Sequence, residues 1–171
     1  MPDAGAEQAS RRWLWLAFAV VVADQGTKLI AEQLLAAHEP VAVLPFFNFY
    51  LTYNTGAAFS FLRDAGGWQR WLFAVLSVGV SGFIVIWLSR LPRGNGWLAC
   101  ALALVLGGAV GNLMDRLLRA DGGVVDFIDV YYGTWHWPAF NVADSAISVG
   151  AVMLVLSAIR GEKAKEEAGS A

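Results

Sequence analysis

Residues 71–89 read WLFAVLSVGVSGFIVIWLS, a run without a single charged side chain. About 20 helical residues cross the roughly 30 Å hydrocarbon core of a bilayer, so this stretch is long enough to span one. Working outward from it, three more stretches have comparable length. The run at about 13–33 is interrupted by Asp24 and Lys28, residues 97–118 are apolar until Asn112, and residues 140–159 are apolar except at their beginning. All eight tryptophans lie near the ends of these runs: Trp13 and Trp15, Trp68 and Trp71, Trp87, Trp97, Trp135 and Trp137. The indole ring prefers the headgroup level, so their placement is an independent sign of four spans. The fold class that follows is a mainly α membrane protein with four transmembrane helices, a single integral domain over 1–171.

Composition agrees. The chain is 57% hydrophobic and only 15% charged, with mean hydropathy +0.53, whereas a soluble domain carries about 25% charged residues. A net charge of -2 without a clustered basic stripe argues against a nucleic-acid partner. The single cysteine, Cys100, lies inside an apolar run. It offers neither a disulfide framework nor a metal-binding pair, and packing is its expected role.

Four spans put both termini on one side. Arg11 and Arg12, Arg90 and Arg93, and Arg160, Lys163 and Lys165 flank the two tails and the short 90–95 loop, which the positive-inside rule makes cytoplasmic. Loops 34–69 and 119–139 then face outward, although Arg63, Arg70, Arg116 and Arg119 dilute the signal. The first 23 residues have the look of a signal peptide. No small-x-small cleavage site follows them, and Asp24-Gln25-Gly26-Thr27-Lys28 continues the helical pattern, so the segment is expected to be retained. The polar tails, 1–10 and 161–171, are expected to be disordered.

The 34–69 loop carries more than a connection. Phe47, Phe49, Leu51 and Tyr53 alternate with Asn48, Tyr50, Thr52 and Asn54, which is strand periodicity. Asn54-Thr55-Gly56 supplies a turn, with 57–62 returning as a second short strand. A small β-rich hairpin over 41–62 is predicted, resting its aromatic surface on the membrane or on something emerging from it. In the third span Ala99, Ala103, Gly107 and Gly111 recur every four residues, a ridge along which another helix can approach closely.

Ionisable groups at membrane depth need partners or a task. Asp24 and Lys28 share one helical face, which Glu32 continues. They form either an internal ion pair or a device that orients a site. Asn112, Asp115 and Arg116 share a face of the third helix. Arg116 either snorkels to the headgroups or holds a carboxylate or peptide carbonyl through paired hydrogen bonds. Asp126 lies in Val124-Val125-Asp126-Phe127-Ile128, and Asp144 in Phe140-Asn141-Val142-Ala143-Asp144-Ser145, both beside the same outer loop. Bland readings exist for each. Asn141 and Asp144 have capping-box spacing, and Asp126 could pair with Arg116 or Arg119.

Two carboxylates at an apolar interface suit amide hydrolysis, which needs one group to activate water and another to protonate the leaving nitrogen. Close together in low dielectric they share a proton, so one serves as base and one as acid. Rival machinery is poorly supplied. Neither HExxH nor GxSxG occurs, His38 and His136 lack a neighbouring nucleophile motif, and Ser145 with Lys28 is a remote dyad. The competing classes are a small transporter or channel subunit, with Asp24, Lys28, Asp126 and Asp144 along an ion path, and a non-catalytic scaffold. The polar groups gather toward one end instead of lining a route across the bilayer, which disfavours the first.

The motifs Asp24-Gln25-Gly26-Thr27-Lys28, Asn54-Thr55-Gly56-Ala57-Ala58-Phe59-Ser60, Gly111-Asn112-Leu113-Met114-Asp115-Arg116, Val125-Asp126-Phe127 and Phe140-Asn141-Val142-Ala143-Asp144-Ser145 together resemble those of lipoprotein signal peptidase, or signal peptidase II. They occur in that family's order and cover about residues 12–160. The resemblance implies a bacterial inner-membrane enzyme with four helices and an extracytoplasmic β-cradle, and with a mobile element around 62–68. It implies that Asp126 and Asp144 form the catalytic dyad. Asn54, Gly56, Asn112, Arg116 and Asn141 would position substrate or dyad, with Asp24 and Lys28 supporting. The implied substrate is a prolipoprotein bearing diacylglycerol on its cysteine, cut just before that residue. The implied enzyme works among membrane lipids without metal or cofactor and is blocked by the cyclic peptide globomycin. Met114 stands where other members often have a different apolar or aromatic residue, and the tails match nothing.

Overall fold

The computed structural model describes residues 4–56, 66–92 and 94–169. The expected return strand at 57–62 and most of the 62–68 element lie outside the described residues. In chain order the elements are α1 (Ala4–Leu34), β1 (Pro40–Leu44), β2 (Phe47–Asn54), α2 (Trp68–Arg90), α3 (Gly96–Leu118), β3 (Val124–Tyr132), β4 (Trp135–His136) and α4 (Val142–Gly169). Each helix contains a stretch long and apolar enough to cross a membrane: Arg12–Leu34, Trp68–Arg90, Gly96–Leu118 and Val142–Ile159. The helical backbone runs beyond these stretches into both tails, where disorder was expected. Ala, Glu and Lys dominate those extensions, and they are strong helix formers.

The centre of the bundle is α3. Over half of its span is buried (56%), against 17% for α2 and α4, and it packs on all three other helices. The side chains that α2 turns outward, such as Val75 and Phe83, would be costly in water and suit a lipid surface. The small-residue ridge does what its spacing predicts. A Cβ on Gly107 would stand 2.7 Å from the Ala17 carbonyl oxygen of α1, and one on the adjacent Gly108, outside the four-residue repeat, would stand 2.3 Å from the Ala143 carbonyl oxygen of α4. Only glycine permits both approaches. Ala17, Ile84, Leu88, Ala99, Leu102, Ala103 and Leu106 fill the resulting core.

The sheet is larger than the predicted hairpin. Its four strands run antiparallel in the order β1-β2-β3-β4. The partners of β2 are the residues before it, Pro40–Leu44, and the distant Val124–Tyr132, a stretch that lies within the loop expected from the sequence at 119–139. Residues 124–127 are buried consecutively. A strand covered on both faces shows no polar alternation, which explains why β3 escaped the periodicity argument. Asn48 pairs with Asp129 and Thr52 with Asp126, with a register shift between Phe49 and Thr52. That bulge bends β2 beside Asp126. Ala31 of α1, Leu51, Val125 and Phe127 form a second apolar cluster that seats the sheet on the end of the bundle. The Phe127 and Ile128 N–H groups donate to the Phe140 carbonyl, and the Phe140 N–H donates back to Ile128. The segment entering α4 is thereby tied alongside β3, and the two aspartates arrive at the same end of the molecule.

Candidate active site

The first turn of α4 must satisfy backbone N–H groups that have no helical acceptor. The Asp144 N–H donates to Asn141 Oδ1 at 2.8 Å, and the Asn141 N–H reaches Asp144 Oδ2 at 3.4 Å. This is the reciprocal capping box that the spacing suggested. It occupies only one carboxylate oxygen. The other, Oδ1, accepts a 2.7 Å hydrogen bond from Asn112 Nδ2, and Asp144 lines a cavity of about 720 Å³. Capping and placement at a site are therefore compatible in one residue.

Asp126 projects from β3 into the same cavity and is only 2% exposed. Asn141 Nδ2 donates to its Oδ1 at 2.8 Å, and the Asn54 side chain is also hydrogen-bonded to it. Burial first, and then the nearby charge of Asp144, push its carboxyl from an ordinary 3.8 up to about 8. Asp126 thus retains a proton at neutral pH and can donate it. The alternative pairing with Arg116 or Arg119 has no counterpart among the described hydrogen bonds. Arg119 bonds Glu32 and Asp115. Arg116 donates to the Gly56 carbonyl and to its own helix at the Asn112 carbonyl, each at 3.3 Å, with its guanidinium 5.2 Å from the centre of the Phe73 ring.

Of the nine residues singled out from the sequence, Asn54, Gly56, Asn112, Arg116, Asp126 and Asp144 line the cavity. Asn141 stands behind it, bonded to both Asp126 and Asn112 Oδ1. Asp24 and Lys28 do not reach it. Both are fully buried, with Lys28 Nζ 2.8 Å from Asp24 Oδ2, so the ion-pair alternative describes their contact. Lys28 is bound to Asp24, Asp115 and Asn112, while Ser145 Oγ donates to the Asn141 carbonyl. A Ser145–Lys28 dyad is not assembled.

Several further residues at or beside the site are not among those nine. Tyr50 and Thr52 line the cavity from β2. They share the alternating set of Asn54, so the strand period carried the signal. Trp137, Pro138, Ala139 and Phe140 form another wall. Nothing local marks them, because their position comes from the pairing of Phe140 with β3. Asp115, 1% exposed, contacts Lys28 Nζ at 2.7 Å. Its place on the Asn112 face was legible, but the partner on α1 was not.

Comparison with known proteins gives a consistent picture. The family model described as signal peptidase (SPase) II matches residues 16–160. Proteins named lipoprotein signal peptidase from Pseudomonas fluorescens and Pseudomonas putida are 53% and 54% identical to this chain, each over 97% of it and 98% of the relative. A solved bacterial membrane enzyme, determined by the in meso method at 2.3 Å, superposes with a TM-score of 0.80 at 28% identity, covering 90% of this chain and 91% of that one. A second such structure, at 1.9 Å, gives 0.73 at 29% identity over 85% and 91%. With a match that runs from the first span to the last, over residues 16–160, this chain belongs to the signal peptidase II family.

Proposed function

We propose that this protein is a membrane aspartic endopeptidase that removes the signal peptide from diacylglyceryl-modified prolipoproteins, cleaving before the lipidated cysteine with Asp126 and Asp144 as its dyad. The observation that carries the reading is that two carboxylates from different elements, β3 and α4, open onto one cavity and are linked through Asn141. The relatives named lipoprotein signal peptidase supply the substrate class.

The two carboxylates are chemically alike, but their surroundings differ. Asp126 is neutral at pH 7 because burial and Asp144 hold its proton on. Asp144 sits at the N-terminal turn of α4, where the helix dipole favours negative charge, and it accepts from Asn112. In the proposed reaction Asp144 takes a proton from water as the water oxygen adds to the scissile carbonyl carbon. Asp126 gives its proton to the carbonyl oxygen. On collapse, the proton held by Asp144 passes to the departing nitrogen, and the tetrahedral hydroxyl returns one to Asp126. Both carboxyls finish as they began.

Asn54, Gly56 and Arg116, on the wall of the cavity, would align the substrate backbone. Asn112 and Asn141 would fix the two carboxylates, and Asp24 and Lys28 would support them. Both termini would be cytoplasmic and the site would lie near the extracytoplasmic face of the bacterial inner membrane. There a lipid-anchored precursor arrives within the bilayer plane. The reaction calls for no metal or cofactor, and globomycin-type peptides would compete for the cavity. The test is cleavage of a diacylglyceryl prolipoprotein by the purified protein in micelles, beside Asp126→Asn and Asp144→Asn. The parent should cut before the lipidated cysteine, and both variants should be folded and silent. Full rate in either variant would overturn the dyad.

A further inference from the structure

Lys28 is a fully buried cation inside a membrane-embedded bundle, and its three ammonium protons have three partners. Nζ lies 2.8 Å from Asp24 Oδ2, 2.7 Å from Asp115 Oδ2 and 3.0 Å from Asn112 Oδ1. An ion pair needs only one carboxylate. What the second one does is visible in where each carboxylate reaches next. Asp24 Oδ1 accepts a 2.9 Å hydrogen bond from the backbone N–H of Ala143, the residue before Asp144. Asp115 Oδ2 accepts one of 3.2 Å from the backbone N–H of Val125, the residue before Asp126. The third arm is a side chain. Asn112 Oδ1 faces two donors, Lys28 Nζ and Asn141 Nδ2, so its amide cannot flip, and its Nδ2 is left to donate to Asp144 Oδ1. Gln25 braces the cluster by donating to Asp24, Asp115 and the Gly111 carbonyl.

We infer that Asp115 is a positioning residue of the dyad, and that Lys28 clamps it and Asp24 together so that β3 and α4 present Asp126 and Asp144 to each other at a fixed separation. The two dyad residues lie on separate elements, and no hydrogen bond among the described residues joins one directly to the other. Their relative position has to be transmitted through something rigid, and a buried lysine bonded to both carboxylates that hold the neighbouring backbone N–H groups is rigid. Gly111 makes room for the clamp. A Cβ there would stand 2.6 Å from Asp24 Oδ2. Asp115 does not line the cavity and, in the proposed reaction, does not touch the substrate, so it acts on the dyad through its contacts, above all the Val125 N–H and Lys28.

The inference rests on the proposed function, and the experiment separates the two. Asp115→Asn is the informative variant, because it leaves Lys28 neutralised by Asp24, while an amide whose oxygen meets Lys28 and the Val125 N–H turns its NH2 toward two donors, Arg119 Nε and Gln25 Nε2, which the carboxylate accepts and the amide cannot. The full-length protein in micelles is assayed on a diacylglyceryl prolipoprotein, with kcat expressed per folded molecule and the folded fraction taken from thermal unfolding. Misplacing a reacting group by about 1 Å costs on the order of 100-fold. The expected result is kcat lowered about 10- to 100-fold with apparent KM within about twofold of the parent. If Asp115→Asn does not yield folded protein, Lys28→Arg, which keeps the charge but replaces a three-way donor by a planar fork, is measured under the same criterion. A folded variant whose kcat stays within about twofold of the parent, however much less stable, overturns the inference. A parent that cuts no precursor overturns the proposed function instead.

Discussion

Replacing Asp126 by asparagine should stabilise the protein at neutral pH while silencing it, and the gain should grow with pH. A carboxyl held at about 8 in the folded state, against 3.8 in an ordinary setting, binds its proton more tightly folded than unfolded. The stability it contributes is complete below pH 3.8 and is lost as pH rises toward 8. Asparagine does not titrate there. From pH 3.8 to pH 7 lie roughly three units, each worth about 1.4 kcal/mol, so the variant should gain on the order of 4 kcal/mol relative to the parent at pH 7. Below pH 4 the titration contributes nothing to the difference. The amide keeps an acceptor for Asn141 Nδ2, and any misfit of its NH2 group adds an offset independent of pH. The diagnostic quantity is therefore the slope. The assay is thermal unfolding of parent and variant in a non-ionic detergent between pH 4 and pH 8, followed by the fluorescence of the tryptophans. Parallel curves, with the same difference at pH 4 and pH 8, would refute the claim that Asp126 is protonated at neutrality and with it the assignment of the acid.

The same proton should set the alkaline limit of activity. Initial rates of prolipoprotein cleavage should fall about tenfold per unit above roughly pH 8, where the pair loses its shared proton, and a rate still rising at pH 9 would contradict this. Asn141→Ala removes the α4 cap and the donor to Asp126 together. It should cost about 1–2 kcal/mol in unfolding free energy and on the order of 100-fold in kcat, measured by unfolding and steady-state kinetics on the same preparation.

Hydropathy and tryptophan placement made the four helices legible, because the bilayer imposes a length and an apolar requirement that few other structures meet. The strand pattern in 47–54 was equally local. What eluded the sequence came from contacts between distant elements. Val124–Tyr132 is shielded on both sides over its first residues, so its alternation is hidden, and a loop was the natural reading. Asp24 and Lys28 announce each other by being four apart on one helix, whereas Asp115 meets them only because α1 and α3 approach closely enough for Gly111 to touch Asp24. No spacing within a single helix encodes that rotation.

Asp144 shows why competing readings of one residue need not exclude each other. A carboxylate has two oxygens with separate directions. Here Oδ2 serves the helix cap and Oδ1 takes the amide of Asn112, which leaves the group ordered from two sides before any substrate arrives. Asn141 makes the same double use of its side chain, since Oδ1 caps α4 at Asp144 and Nδ2 holds Asp126. The helix start and the two carboxylates of the proposed dyad are thus one hydrogen-bonded unit. In this fold a group that terminates secondary structure also supplies part of the supporting shell. The consequence is mechanical. Any change that frays the first turn of α4 displaces Asp144 and releases Asp126 at once, so stability of that turn and catalytic rate should fall together along a series of substitutions at Asn141.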